Sequence, residues 1–240
     1  MCGRYTLSSP TEVIADVFEL IDVPEVLPRY NLAPTQEAAV VRVTAPGEPR
    51  TLDSLRWGLV PYWAKEASIG NRMINARAES AADKPAYRDS FRRKRCLVVA
   101  DGFYEWKKEG KWKQPFLIRR RDRLPFGFAG LWSLWRAPDG VRLATFTILT
   151  TTPNALMREL HDRMPVVLDR RNFGAWLDPA AADTARLQEL LLTAPTPLDT
   201  EFEAVPVSRN VNDPAYDAPD CIEPLLAGAA SGPLWKGNPA

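Results

Sequence analysis

Residue 2 is a cysteine directly behind the initiator methionine, in Met1-Cys2-Gly3-Arg4-Tyr5. So small a second residue makes Met1 removable, and removal leaves Cys2 with a free α-amine and a thiol on adjacent carbons. With reference pKa values of about 7.7–8.0 and about 8.5, both nucleophiles are expected to be partly unprotonated near neutral pH. Such a 1,2-aminothiol can attack an acyl carbon through sulfur, with its own amine as base. It can also condense with an aldehyde, the amine forming an imine and the thiol closing a thiazolidine ring. Position alone is equally compatible with an ordinary early-chain residue.

Three further positions carry usable chemistry. Glu105 stands between Tyr104 and Trp106; desolvation there would raise its pKa and suit it to general acid work, whereas an outer strand face would leave it an ordinary surface carboxylate. His161 is the single histidine of the chain and precedes Asp162-Arg163-Met164-Pro165. A lone histidine is more often structural, but a Pro-stopped loop is a place from which a side chain reaches a site. Asn75 and Arg77, one residue apart, share a face in an extended segment and offer an amide and a forked cation suited to phosphate.

These residues need positioning elements. Pro10–Leu20 has apolar residues at helical spacing with Thr11 as its cap, and the prolines around Arg29–Pro34 exclude a helix. Strands are expected at 38–43, 51–60, 96–106, 115–120, 126–135, 142–152, 166–168 and 202–207. Helices are expected at 78–95 (interrupted near Pro85), 154–160, 173–177 and 182–193. Lys107–Lys111, with Gly110, reads as a hairpin turn. Of two tryptophans six residues apart, Trp57 and Trp63, the latter follows Pro61 at the start of a polar loop, where an exposed ring can stack on a nucleobase. The pattern predicts an α+β fold: a mixed, mostly antiparallel, barrel-like sheet core with short peripheral helices. One domain over 1–225 and a flexible tail over 226–240 are expected.

Composition excludes several function classes. The 240 residues suffice for one sizeable core, no apolar run approaches a membrane span, and no signal-peptide pattern is present, so the cytoplasm is the expected compartment. Three widely spaced cysteines do not make a disulfide framework. One histidine and no C-x-x-C pair argue against zinc, and no phosphate-binding loop or dinucleotide fingerprint appears, so the chemistry is expected to need no metal or cofactor. Net charge is +1, yet residues 84–123 hold 14 Lys and Arg against 5 Asp and Glu. That run reads either as a solvated basic face or as a footprint for a polyanion.

Six segments taken in order resemble the SRAP (SOS response-associated peptidase) family, whose members shield abasic sites in single-stranded DNA: MCGRYT at 1–6, RYNLAP at 29–34, RWGLVPYW at 56–63, INARAE at 74–79, RRKRCLVVADGFYEW at 92–106 and HDRMPVVL at 161–168. The resemblance implies Cys2, Asn75, Glu105 and His161 as active-site residues. It further implies Arg4, Trp63, Arg77, Trp106 and Arg163 as DNA contacts. It implies covalent crosslinking to abasic single-stranded DNA, with associated lyase activity and self-removal of Met1; a monomer is the default expectation, associated with the nucleoid when bound to DNA. Tyr62 departs from the small residue usual before the last tryptophan of RWGLVPYW. The rival expectation is an N-terminal-nucleophile cysteine peptidase or amidohydrolase.

Overall fold

A computed structural model of the chain describes residues 2–192 and 200–225. Its strands are β1 (Tyr5–Leu7), β2 (Arg29–Leu32), β3 (Glu37–Arg42), β4 (Thr51–Trp57), β5 (Asn75–Arg77), β6 (Arg95–Ala100), β7 (Gly102–Glu109), β8 (Trp112–Arg120), β9 (Phe126–Arg136), β10 (Arg142–Thr151), β11 (Met164–Pro165), β12 (Val167–Leu168) and β13 (Phe202–Pro206). The helices are short: α1 (Thr11–Phe18), α2 (Ala78–Ala81), α3 (Arg88–Arg93), α4 (Ala155–Arg158), α5 (Phe173–Leu177) and α6 (Thr184–Leu192).

Five strands close a barrel in the order β10-β4-β3-β6-β9. All neighbours are antiparallel except β10 and β4, whose parallel pairing (Phe146↔Trp57) joins with the β9–β10 hairpin to shut it. Strand β6 is buried along its whole length, as its apolar Cys96–Ala100 run requires. Beyond the reach of β4, the C-terminal half of β10 takes β5 in parallel (Ile148↔Asn75) and β11 antiparallel. A second sheet, β13-β8-β7-β1-β2, is antiparallel throughout.

The two sheets are joined by an aromatic core that uses the motif residues themselves. The Tyr5 ring lies 5.1 Å from Trp57 and 6.1 Å from Phe128; Trp57 stacks on Phe146, and Phe103 and Phe126 meet Phe128 edge-on. Such offset and edge-to-face pairs each add about 0.5–1.5 kcal/mol beyond burial. Trp57 Nε1 donates to Ile74 O at 2.8 Å, fixing the approach to β5. Gly58, at φ +123°, has no room for a side chain: a Cβ there would lie 2.6 Å from Gly70 O.

Two local expectations need correction. Thr11 does not cap α1; it is the first helical residue, and its hydroxyl accepts the Val26 N–H at 3.0 Å instead. The helix stops at Phe18 because Glu19 turns left-handed, at φ 55°. The helix expected over 78–95 breaks near Pro85 as expected, because proline cannot donate within a helix, but it ends at Arg93, with Arg95 already in β6. Thr193 and the 226–240 tail lie outside the described residues. Val207 bridges to Pro224, so the chain is held against the second sheet to that point.

Candidate active site

Cys2 reaches the site as the extension of β1. Tyr5 is held in the core, Tyr5 pairs with Phe103, and Tyr104 N–H donates to Arg4 O at 3.0 Å, so the residues before Tyr5 run along β7 toward Glu105. Asn75 Nδ2 donates to Cys2 O at 2.8 Å and pins the segment from the other side. Asn75 is itself set by β5 on β10 and by the Trp57 bond to the preceding carbonyl. Its Oδ1 is buried with no hydrogen-bond partner among the described residues.

The Cys2 thiol is fully buried. Burial pushes the Cys2 pKa up and the negative charge of Glu105 adds to the rise, while the contact with the Arg4 carbonyl opposes it. Cys96 and Cys221 are also free and buried.

Glu105 is 2% exposed, on β7 opposite Phe116. Desolvation raises its pKa above the ordinary glutamate value, while His161 pulls it back. The desolvation expected from its aromatic neighbours is thus present. His161 follows α4, which Asn154 caps by accepting the Met157 N–H at 2.9 Å. Its Nδ1 accepts the Arg163 N–H at 3.0 Å and lies 2.8 Å from Asp162 Oδ1. Glu105 and His161 line a common cleft of about 440 Å³ with Trp106, Lys113 and Asn212.

One wall of this cleft comes from a segment to which the sequence pattern assigned no role. Trp106 Nε1 donates to Asn212 Oδ1 at 2.7 Å. The stretch around Asn212 is clamped by Asn31, whose Nδ2 donates to Val211 O, Asp213 O and Tyr216 O at 3.2, 2.9 and 2.7 Å. Arg4 Nη1 bridges Asn31 Oδ1 and Val211 O, both at 2.9 Å. Asp217 closes the clamp from outside by accepting the Tyr30 and Asn31 N–H groups. Asn212 carried no signal in the sequence, Asn31 stood out only as a polar residue inside the RYNLAP run, and Lys113 only as a member of the basic run over 84–123.

Comparisons with known proteins agree with this geometry. The model of the family described as SOS response associated peptidase (SRAP) matches residues 1–214. The chain belongs to the SRAP family. It is 43% identical over 228 residues to the Bacillus subtilis abasic site processing protein YoqW, covering 93% of this chain and 99% of that one. It is 31% identical over 232 residues to the Escherichia coli abasic site processing protein YedK, covering 94% and 100%. Among solved structures, that of a Bacteroides thetaiotaomicron protein matches with a TM-score of 0.80 at 25% identity, covering 94% of this chain and all of that one.

Within this SRAP fold the residues expected to contact DNA fall into two groups. Trp63 and Arg77 are exposed, and Trp106 is half-buried in the cleft wall. Arg4 and Arg163 are turned to structural work. Arg163 makes two 2.8 Å bonds to the Glu79 carboxylate and one of 2.6 Å to Thr150 O, tying the His161 loop to β10 and α2.

The basic run over 84–123 is not a single surface. Arg95 is buried in a cradle of backbone carbonyls from Phe91, Arg92, Trp176, Asp178 and Ala181. Arg119, Arg120, Arg121 and Arg123 pair with Glu201, Glu203 and Asp122. Exposed cations remain on α3 and at the tip of the β7–β8 hairpin. Among the described residues no group of three or more His, Cys, Asp or Glu is arranged to hold a metal ion, and no helix is long and apolar enough to cross a membrane.

Proposed function

We propose that the chain recognises abasic sites in single-stranded DNA and couples to them covalently through Cys2 after Met1 is removed. The observation that carries the reading is the placement of an N-terminal aminothiol segment, pinned by Asn75, beside a buried carboxyl of raised pKa and an imidazole that share one cleft. The printed names of the relatives, abasic site processing proteins, support it.

An abasic deoxyribose is mostly a closed hemiacetal. Protonated Glu105 donates to the ring oxygen as the C1′ hydroxyl loses its proton, and the ring opens to the aldehyde. The Cys2 α-amine adds to C1′ and water leaves, giving an imine, with His161 moving protons and orienting the sugar oxygen. The Cys2 S–H then adds across the C=N bond, sulfur to carbon and hydrogen to nitrogen, closing the thiazolidine. A neutral thiol suits this last step because it brings the hydrogen that the nitrogen takes up. Asn75 holds the Cys2 carbonyl, and its unpartnered Oδ1 is available to accept from the amine. The imine stage alone permits β-elimination, so lyase activity is a side reaction that ring closure suppresses. A lesion without a base leaves phosphates, sugar and neighbouring bases to recognise, which suits the exposed Trp63 and Arg77.

The acyl-transfer alternative needs a thiolate, and the burial that raises the Cys2 pKa works against it. Borohydride separates the chemistries. The wild type should give an adduct that forms without reductant and is indifferent to it. Cys2→Ser should give an imine captured only when borohydride is present. A Cys2→Ser adduct as durable as the wild type's, without reductant, would refute thiazolidine closure.

A further inference from the structure

We propose that the tip of the β7–β8 hairpin is a second nucleotide subsite, where Trp112 stacks a base flanking the lesion and Lys113 and Lys108 take phosphate. This rests on the single-stranded DNA reading above. Trp112 is 61% exposed, more than Trp63 at 51%, although no apolar surface requires it there. One side of its ring is backed by the Arg209 guanidinium, 5.2 Å from the ring centroid. Arg209 has no carboxylate partner among the described residues, and its Nε is buried without a hydrogen bond. The cation therefore serves the ring rather than an acid, and the ring's remaining surface faces solvent as a stacking platform.

The platform and the reactive cleft are built on the same hairpin. Lys113, the next residue, lines that cleft with Glu105 and His161. Asn212, three residues after Arg209, accepts the Trp106 Nε1–H. The same two segments that build the cleft wall thus carry Trp112 and its backing cation. The hairpin tip holds Lys107, Lys108, Lys111 and Lys113 against the single acid Glu109. Of these lysines only Lys107 has an ion pair among the described residues, a 4.0 Å approach to Glu159. Gly110, at φ 59°, makes the turn that sets Lys108 opposite Lys113. Cations interleaved with an exposed indole match a strand of alternating phosphates and bases. They match an acidic protein surface less well, because it offers nothing planar to stack.

The test is fluorescence anisotropy of the full chain with a lesion-free single-stranded oligonucleotide, which needs no Cys2 chemistry. Trp112→Ala should weaken binding about ten-fold, the scale of one base stack, and Trp112→Phe should restore most of it. Replacing the nucleosides of the oligonucleotide by tetrahydrofuran residues, which lack both the base and the reactive C1′ aldehyde, should abolish the difference between Trp112→Ala and wild type. Equal affinity of Trp112→Ala and wild type overturns the subsite, as does an equal loss on base-bearing and base-free strands, which would reveal only an anion patch. Because binding is read apart from adduct formation, wild-type protein that binds but forms no adduct defeats the covalent reading and leaves the subsite standing.

Discussion

At the residue scale, Glu105 should trade stability for chemistry. Its folded-state pKa is raised, mainly by desolvation, above its unfolded value. The native state then holds the proton longer, so this group's contribution is full below the ordinary glutamate pKa and is lost as pH rises through the raised value. Glu105→Gln is therefore expected to raise the melting temperature relative to wild type, with a gap that widens from mildly acidic to alkaline pH, while adduct formation slows sharply. A scanning calorimetry series across pH checks the sign; a gap that narrows with rising pH would contradict it. In the wild type the adduct rate should fall as pH rises through the same raised pKa, since the acid form opens the sugar. Asn75→Ala removes the 2.8 Å tether on Cys2 O. A hydrogen bond of this kind contributes about 0.5–1.5 kcal/mol net, so the fold should survive, with the loss read mainly in adduct rate.

At the element scale, the short helices and single turns matter less than the places where segments lock. Asn31 is fully buried, with donors and acceptor all engaged in the clamp on residues 211–216. Asn31→Ala should cost about 2–4 kcal/mol, through several broken bonds and the buried carbonyls left behind. Hydrogen exchange should show faster opening at Val211–Tyr216 than in the barrel strands. Gly58→Ala should cost at least about 2 kcal/mol, because a left-handed backbone and the crowding at Gly70 resist a Cβ together; chemical denaturation measures both. The elements themselves were largely legible in the chain. Strand β10 announced itself by its alternating β-branched residues, and Phe173–Leu177 is helical over the expected span. The clamp was not, because an asparagine among prolines looks like loop chemistry until three carbonyls from a segment roughly 180 residues away converge on it.

At the scale of the whole molecule, net charge says little and charge placement says much. The arginines of 119–123 are committed to Glu201, Glu203 and Asp122, so neutralising Arg121 and Arg123 should leave the salt dependence of DNA binding almost unchanged. Replacing Lys108 and Lys113 with alanine should reduce the slope of log affinity against log salt by about 0.7 for each phosphate no longer neutralised. Salt titrations of the two double variants decide between them. The run that reads as one basic stretch is divided by folding, since strand pairing sends β6 into the barrel and β7–β8 into the second sheet. The closure of that barrel by a parallel β4–β10 pair was likewise invisible locally, because it joins residues about 90 positions apart. The site residues named from the sequence fare differently. Asn75 contacts Cys2 and Glu105 shares the cleft with His161, while Arg4 and Arg163, read as DNA contacts, are half-buried and bonded to Asn31 and Glu79, partners that lie far along the chain. The measurement that tests the account most directly mixes protein lacking Met1 with a single-stranded oligonucleotide bearing one abasic site, followed by denaturing electrophoresis, intact mass and peptide mapping. The account predicts an adduct whose mass is the sum of the two minus one water, mapped to Cys2 and absent without reductant in Cys2→Ala; no adduct from protein with a confirmed Cys2 N-terminus would contradict it.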